Sequence, residues 1–537
     1  MKRLVYVIVA SVLAVSSLLA ACASPAATPT QATTAPTTTA PKPTVTATAT
    51  PTATVTPKYG GQLKITYATG PGTSIGMPME AVGGTVATEQ LSLETLFRED
   101  IDGSLNPWLA TSMDVAPDGS SITIHLRKGV KFQDGTDFNA QAVKWNWDQV
   151  KAIGMNNNVS DYWKSVDVID DYTFKVTYTV WQNVALKSLG ENWTYIVSPT
   201  AYQKNGLDWM RQNMVGTGPF KQVSYQRDVQ FTGAKFDGYW QPGKPYLDGV
   251  QLLYVSDELT RIALLKSGGT DVLIGVPDKA HADLQTQGYY FLHQPTGVLS
   301  LVPDSGNADS PWSNLKVRQA AEYAIDKDSL TKALGYGLMT SAYQLPTTTS
   351  TVYDKNFTGA KTYDAAKATQ LMADAGYANG FKTRIIVAPG GNSDIALAIQ
   401  NYWGKIGIQA TIETPTTSAN QLYLTNGWQN GVLQMGIGQW PNYNSVWGFY
   451  FTKNSNWFPV VTKSDKLQQL ITTSYASLKP EVPLEQAVLN NIYGDELVIP
   501  VYHSQSIYVM QNYVKDTGWL TRMFSIYWRP DNVWISK

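Results

Sequence analysis

The sequence holds one cysteine, Cys22, and four histidines in 537 residues. One cysteine excludes a disulfide framework and a thiolate metal cluster, and four scattered histidines argue against a His-based zinc site. An excess of charge is also missing: 41 Lys+Arg face 42 Asp+Glu, a formal net charge of −1. Neither a basic footprint for nucleic acid nor an acidic solvating tail is present. Beyond residue 20 no apolar run is long enough to span a bilayer. Walker A, H-E-x-x-H and G-x-S-x-G are absent. Gly70-Pro-Gly72-Thr-Ser-Ile-Gly76 has one residue too many for G-x-G-x-x-G and reads as a loop. Ser313-Asn-Leu-Lys316 matches S-x-x-K, but its companions S-D-N and K-T-G are missing, so it reads as chance in a helix entry. Carboxylates are plentiful, yet no local signature picks out a glycosidase pair. No catalytic residue, metal or other cofactor is expected.

Aromatic residues are abundant, with 17 Trp and 30 Tyr. A chain this aromatic folds, and some rings are available for a ligand. Lys2 and Arg3 precede an apolar run over residues 4–20 that ends in small side chains. This reads as a secretory signal over residues 1–21. Cys22 follows in Leu19-Ala20-Ala21-Cys22, which resembles the lipobox of bacterial lipoproteins and implies lipidation of Cys22. Residues 23–57 are almost wholly Ala, Thr and Pro. Such a segment buries too little to offset its ordering entropy and reads as a disordered tether. At ~3.1 Å per residue its reach is on the order of 100 Å. The chain is therefore expected outside the cytoplasm, anchored to the membrane by lipid, with a globule starting near Lys58.

The globule alternates strands and helices. Leu63, Ile65 and Tyr67 alternate with polar residues, as do Ile122, Ile124 and Leu126, and Tyr172, Phe174, Val176 and Tyr178. Asn139 can cap a helix whose inner face is Val143, Trp147 and Val150. Short strands are expected over 252–255, 272–276, 298–302, 383–387 and 409–413, and helices over 259–266, 317–325, 365–375 and 395–406. The alternation gives an α/β class with mixed sheets flanked by helices.

Several stretches, in order, resemble the family 5 extracellular solute-binding proteins, receptor subunits of ABC importers for peptides, nickel and some oligosaccharides. They are Asn106-Pro-Trp-Leu-Ala110, Thr123-Ile-His-Leu-Arg-Lys-Gly-Val-Lys-Phe-Gln-Asp-Gly-Thr136, Gly216-Thr-Gly-Pro-Phe220, Val317-Arg-Gln-Ala320 with Ala324-Ile-Asp326, and Val498-Ile-Pro-Val501. Ala142 stands where many members carry Asp. The resemblance covers nearly all of residues 58–537. It implies a bilobal periplasmic-binding-protein-like clamp with an extra lobe. Lobe I would comprise 58–90, 207–303 and 500–537; lobe II, 91–206; and lobe III, 304–499. The motifs themselves read as scaffold, and Arg318 as an exposed or ion-paired helix residue.

The resemblance also places ligand contacts. The resemblance implies a segment of the form W-x-x-D-Y, whose Asp meets a peptide's α-ammonium; its nearest counterpart is Gly438-Gln-Trp440-Pro-Asn442-Tyr443-Asn444, which puts Asn442, or with a slip Asn444, in the place of the Asp. Neither Asn is a carboxylate, and an amide offers a buried cation no compensating charge. Trp440, Asn442 and Tyr443 are the first candidates for ligand contact. Thr73, Trp193, Tyr502 and His503 follow. Trp428, Trp447 and Trp457 lie near by in sequence, where each alone reads as core. The resemblance implies a peptide as the cargo; neutral amides among aromatic faces suit sugar rings, which makes an oligosaccharide the alternative. The implied partners are that solute and a membrane ABC permease, with no nucleic acid, and the receptor is expected to be a monomer and not an enzyme. A secreted lipoprotein hydrolase is the alternative of a different class.

Overall fold

Why strands form where they do is clearest at the run Ile385-Ile-Val387. All three side chains are buried, on both faces of the strand Phe381–Val387, which pairs in parallel with Ile408–Glu413 and Gly431–Gly438. A parallel strand covered on both faces reads as continuous apolar sequence. A computed structural model of the chain describes residues 56–71, 74–80, 85–153, 160–276, 278–438, 443–455, 457–521 and 527–537. The signal segment, Cys22 and residues 23–55 of the tether lie outside the described residues.

One mixed sheet of eleven strands runs through the molecule. Its order is Ile408–Glu413, Phe381–Val387, Gly431–Gly438, Tyr290–Pro303, Ile499–Met510, Val272–Ile274, Gln62–Tyr67, Gly249–Tyr254, Gln230–Lys235 and Phe220–Gln226, with Thr340–Ser341 also pairing on Ile499–Met510. The two longest strands, Tyr290–Pro303 and Ile499–Met510, lie antiparallel at the middle and connect the halves. The sequence shows only residues 298–302 as a strand, because Pro295 and Gly297 read as a break. Instead the register shifts between Pro295 and Gly297, and the strand continues past a bulge. Gly297 has φ +145°, and a Cβ there would stand 2.2 Å from the Ile437 carbonyl oxygen.

A second, four-stranded antiparallel sheet has the order Ala110–Val115, Ser121–Leu126, Thr173–Tyr178, Trp163–Asp170. The helix Ala140–Ile153 lies on it, begun by Asn139, whose Oδ1 accepts the Ala142 N–H at 3.0 Å. Val143, Trp147 and Val150 are buried as their spacing predicts. Trp147 stacks on Trp163 at 4.8 Å, and Trp163 on Trp193 at 6.3 Å.

The apolar core divides. One cluster joins residues 63–274 to the C-terminal segment around Trp519, Trp528 and Val533. Two others are built almost wholly from residues 298–502. Trp428 and Trp447 are buried in the second region. Val184, from the first half of the chain, packs into that region as well.

The motifs act as scaffold. A Cβ on Gly216 would meet the Ser92 carbonyl oxygen at 2.2 Å, and one on Gly218 the Ser92 carbonyl carbon at 2.7 Å. Thr217 between them donates to Glu94 Oε2 at 2.8 Å. Arg318 differs from its expected place. It is buried, and its guanidinium donates to the carbonyls of Trp312, Ser313, Asp495 and Glu496. Instead of an ion pair it satisfies backbone oxygens after the helix Val482–Gly494, groups that have no partner inside a helix.

Candidate functional site

The two core regions meet along a seam. On one side is the segment 181–194, with the helix Val184–Ser188 and the 3-10 turn Asn192–Thr194. On the other are the helices Asn444–Tyr450, Asp465–Ala476 and Val482–Gly494. Trp181 Nε1 donates to the Ser477 carbonyl at 2.9 Å, and the Asn183 amide N–H to the Tyr475 carbonyl at 2.9 Å. Asn183 Nδ2 donates to the Ser474 carbonyl at 2.7 Å. Asn444 Nδ2 donates to Asn183 Oδ1 at 2.9 Å, while its own Oδ1 accepts from Trp447 Nε1 at 3.1 Å and Ser474 Oγ at 2.6 Å. Asn183, Asn444 and Ser474 are all fully buried. Such a network holds two surfaces in one register, because each broken bond would leave a buried polar group unsatisfied.

Two cavities open along this seam, and Lys187 lines both. The smaller, about 40 Å³, lies between Trp193 with Glu191 and Asn444 with Phe449 and Tyr475. Lys187 donates to Glu191, which also accepts the Trp193 indole N–H. Trp193 is thus fixed from both sides, by its stack on Trp163 and by this bond. The larger cavity, about 390 Å³ and partly open to solvent, is bounded by Glu99, Asp102 and Lys187 on one side and by Thr351, Lys479 and Glu485 on the other. Its walls carry both signs of charge.

Glu485 is the more deeply buried of the two buried acids of the larger cavity, 1% exposed against 8% for Glu99. Its Oε2 accepts the Tyr443 backbone N–H at 2.5 Å. Burial pushes its carboxyl up to about 7, against that one hydrogen bond, which pulls it down. Asp102 differs: it is exposed, and bonds from the Ser104 hydroxyl and amide hold its carboxyl below the usual range. Glu485, Val488, Leu489 and Ile492 form the inner face of their helix. A charged residue on an apolar stripe was the sequence signal for Glu485, and sequence reading missed it, along with Lys187 and Asn183.

The residues expected from sequence separate. Trp193 lines a cavity of the seam. Tyr443 does not. Its ring is buried in the second core region, 5.7 Å from Trp447, its hydroxyl has no partner among the described residues, and its contribution to the seam is its backbone amide. Tyr502 and His503 lie where the two long central strands cross, opposite Leu299 and Val298. His503 Nε2 is 3.0 Å from the Gln344 carbonyl oxygen. A carbonyl only accepts, so Nε2 carries the proton, and burial holds the imidazole below its usual pKa. Thr73, Trp440 and Asn442 lie outside the described residues. Among those described, no helix is long and apolar enough to cross a membrane.

Residues 104–457 match the family described as "Bacterial extracellular solute-binding proteins, family 5 Middle". The glutathione-binding protein GsiB of Shigella flexneri serotype 5b is 33% identical over 294 residues, 54% of this chain and 57% of that relative. The match therefore spans little more than half the length of that relative. Among solved structures, DppA of Helicobacter pylori in complex with the peptide STSA superposes with a TM-score of 0.76 over 89% of this chain and 99% of its own, at 23% identity. The oligopeptide-binding protein AppA of Bacillus subtilis, in complex with a nonapeptide, gives 0.74 over 90% and 100%, at 19% identity. These likenesses establish the fold as the bilobal one of periplasmic binding proteins. With two thirds of its length matched by the family, this chain belongs to the bacterial extracellular solute-binding proteins of family 5.

Proposed function

We propose that this chain is an extracytoplasmic receptor that captures a peptide in the seam between its lobes and delivers it to an ABC-type membrane permease. The observation that carries the reading is the larger cavity, walled from both sides of the seam and lined by acids and lysines together. An unmodified peptide is a zwitterion, and such a wall offers each end an opposite charge. The names of relatives point the same way: GsiB is a glutathione-binding protein, and DppA and AppA hold peptides.

The mechanism has no covalent step. A solute touching both sides of the seam binds the closed form better and shifts the population toward it. The closed complex then docks on the permease. In this reading residues 1–21 are removed, Cys22 carries the lipid, and residues 23–57 let a monomeric globule search near the permease. Lobe I (58–90, 207–303, 500–537) and lobe II (91–206) form one jaw and lobe III (304–499) the other. Trp193 is a direct contact in this reading, and Trp440, Asn442 and Thr73 are its further proposed contacts. Tyr443 acts through its amide, while Tyr502 and His503 act at the strands between the jaws.

A second cargo is favoured by one feature. Trp193, Phe449 and Tyr475 bring three rings to the smaller cavity, and ring faces suit sugars. Native mass spectrometry of the purified chain, with denaturing release of co-purified cargo, separates the readings. A heterogeneous series of peptides supports the receptor as stated. A ladder of hexose-spaced masses overturns the peptide reading, and turnover of either polymer overturns the receptor reading.

A further inference from the structure

Buried carboxylates in this chain are mostly answered by donors or cations. Asp531, 2% exposed, pairs with Lys244 at 3.0 Å and Arg529 at 2.7 Å. Asp304 accepts from Ser310 Oγ at 2.8 Å and from the Asn430 amide at 2.7 Å. Glu322 is paired with Lys327 at 2.6 Å. Glu89, fully buried, has no hydrogen-bond partner for either carboxylate oxygen among the described residues but lines neither seam cavity, which leaves Glu485. Among the described residues its only polar partner is the Tyr443 amide, and no ion pair reaches it. Its second oxygen has no partner among the described residues, and the side chain lines the larger cavity. Lys187 and Lys479 also line that cavity, but Lys187 is bonded to Glu191, and neither forms an ion pair with Glu485 among the described residues. Of the other acids there, Asp102 is bonded to Ser104, and Glu99 has partners of its own.

An ionised carboxylate this deeply buried needs a cation or further donors. One oxygen is held in place from a backbone amide, which fixes the direction of the other. The cavity in front of it is large enough for several heavy groups and opens to solvent. We infer that Glu485 is the cation subsite of this receptor, its free oxygen taking a primary ammonium group of the bound solute. The inference rests on the peptide reading above, since every unmodified peptide carries such a group. It assigns to the helix Val482–Gly494 the negative charge that the segment 438–444 does not contain. Lys479, exposed on the same side of the cavity, is then left for the carboxylate end. Tyr443 is a positioning residue here: its amide aims the carboxylate and touches no ligand through its ring.

The test equilibrates the full chain with a pooled library of tri- to pentapeptides in which each sequence is present both free and N-acetylated, and reads the retained species by mass spectrometry. Glu485→Gln keeps the shape and still accepts the Tyr443 N–H, so it removes the charge with the fold intact. Unliganded melting temperature reports that directly. The wild type should retain free-amine members on the order of 30-fold or more over their acetylated twins, the scale for unpairing a buried charge. Glu485→Gln should lose that preference, and Glu485→Asp should recover part of it. If the wild type retains peptides but Glu485→Gln keeps the same preference, or if free and acetylated twins are retained equally, the subsite is elsewhere and the peptide reading survives. If the wild type retains no member of the pool, the peptide reading itself falls, and the subsite with it.

Discussion

Two buried glutamates in this molecule start from the same electrostatic position and end in different ones. Glu94, 5% exposed, sits where the Gly216-Thr-Gly-Pro219 turn meets the segment 91–108, and burial pushes its carboxyl up to about 7. Glu485, 1% exposed at the lobe seam, is raised to the same value by the same cause. Glu94 accepts four side-chain hydrogen bonds, from Trp108 Nε1 and the Tyr239 hydroxyl at 2.8 Å on one oxygen, and from Thr217 Oγ1 at 2.8 Å and Trp240 Nε1 at 2.9 Å on the other. Glu485 accepts one. The first is saturated by its own fold and tightens a joint. The second keeps a free oxygen beside a cavity. Burial alone therefore does not mark a binding residue; the shortfall in partners does.

Removing each acid should break the comparison most visibly. Glu94→Ala strands four donors, two of them half-buried indole N–H groups that cannot accept in exchange. It should lose about 3–5 kcal/mol of stability in denaturant unfolding, the scale for breaking a buried charged network. A loss under about 1 kcal/mol would mean the four bonds do little for the joint.

Glu485→Gln should behave oppositely in the unliganded protein, and its effect should depend on pH. The folded pKa, about 7, lies above the unfolded value near 4.5. A raised pKa contributes stability that is fully present below the unfolded value and lost as pH rises through the folded one. The wild type should therefore lose stability from this group between pH 4.5 and 7, and glutamine should not. Melting temperatures of the two chains should diverge in favour of Glu485→Gln above pH 7, by up to roughly 3 kcal/mol for a shift of this size. A variant that is less stable than wild type at pH 8 would show that Glu485 is structural.

A smaller effect sharpens the role of the seam between them. Asn183→Ala, Asn444→Ala and the double variant form a cycle around the 2.9 Å bond that crosses the seam between the two core regions. A coupling of about 1–2 kcal/mol is expected for contacting buried groups. Small-angle scattering of either single variant should show a more open unliganded particle. Additive energies with unchanged scattering would mean the network does not hold the lobes together.

Much of the fold was readable in sequence because its signals are local. Period-2 alternation marked Ser121–Leu126 and Thr173–Tyr178, and the cap-plus-stripe pattern marked Ala140–Ile153. The two central strands were not, because a proline and a glycine inside Tyr290–Pro303 imitate a turn when only a bulge is present. The site was less legible still. Trp193 was reached through its segment, but Lys187, Asn183 and Glu485 are brought together by chain reversals nearly 300 residues apart. Arg318 was misjudged for a related reason. Its partners are carbonyls at Asp495 and Glu496, and no residue type in the sequence announces a carbonyl.

The most direct measurement is a crystal structure of the full chain with a peptide recovered from it. A peptide lying between Trp193 and the helix Val482–Gly494, its ammonium nitrogen about 2.7–2.9 Å from a Glu485 carboxylate oxygen, is the predicted result. A peptide whose ammonium meets another acid, or a solute seated away from the seam, would contradict it.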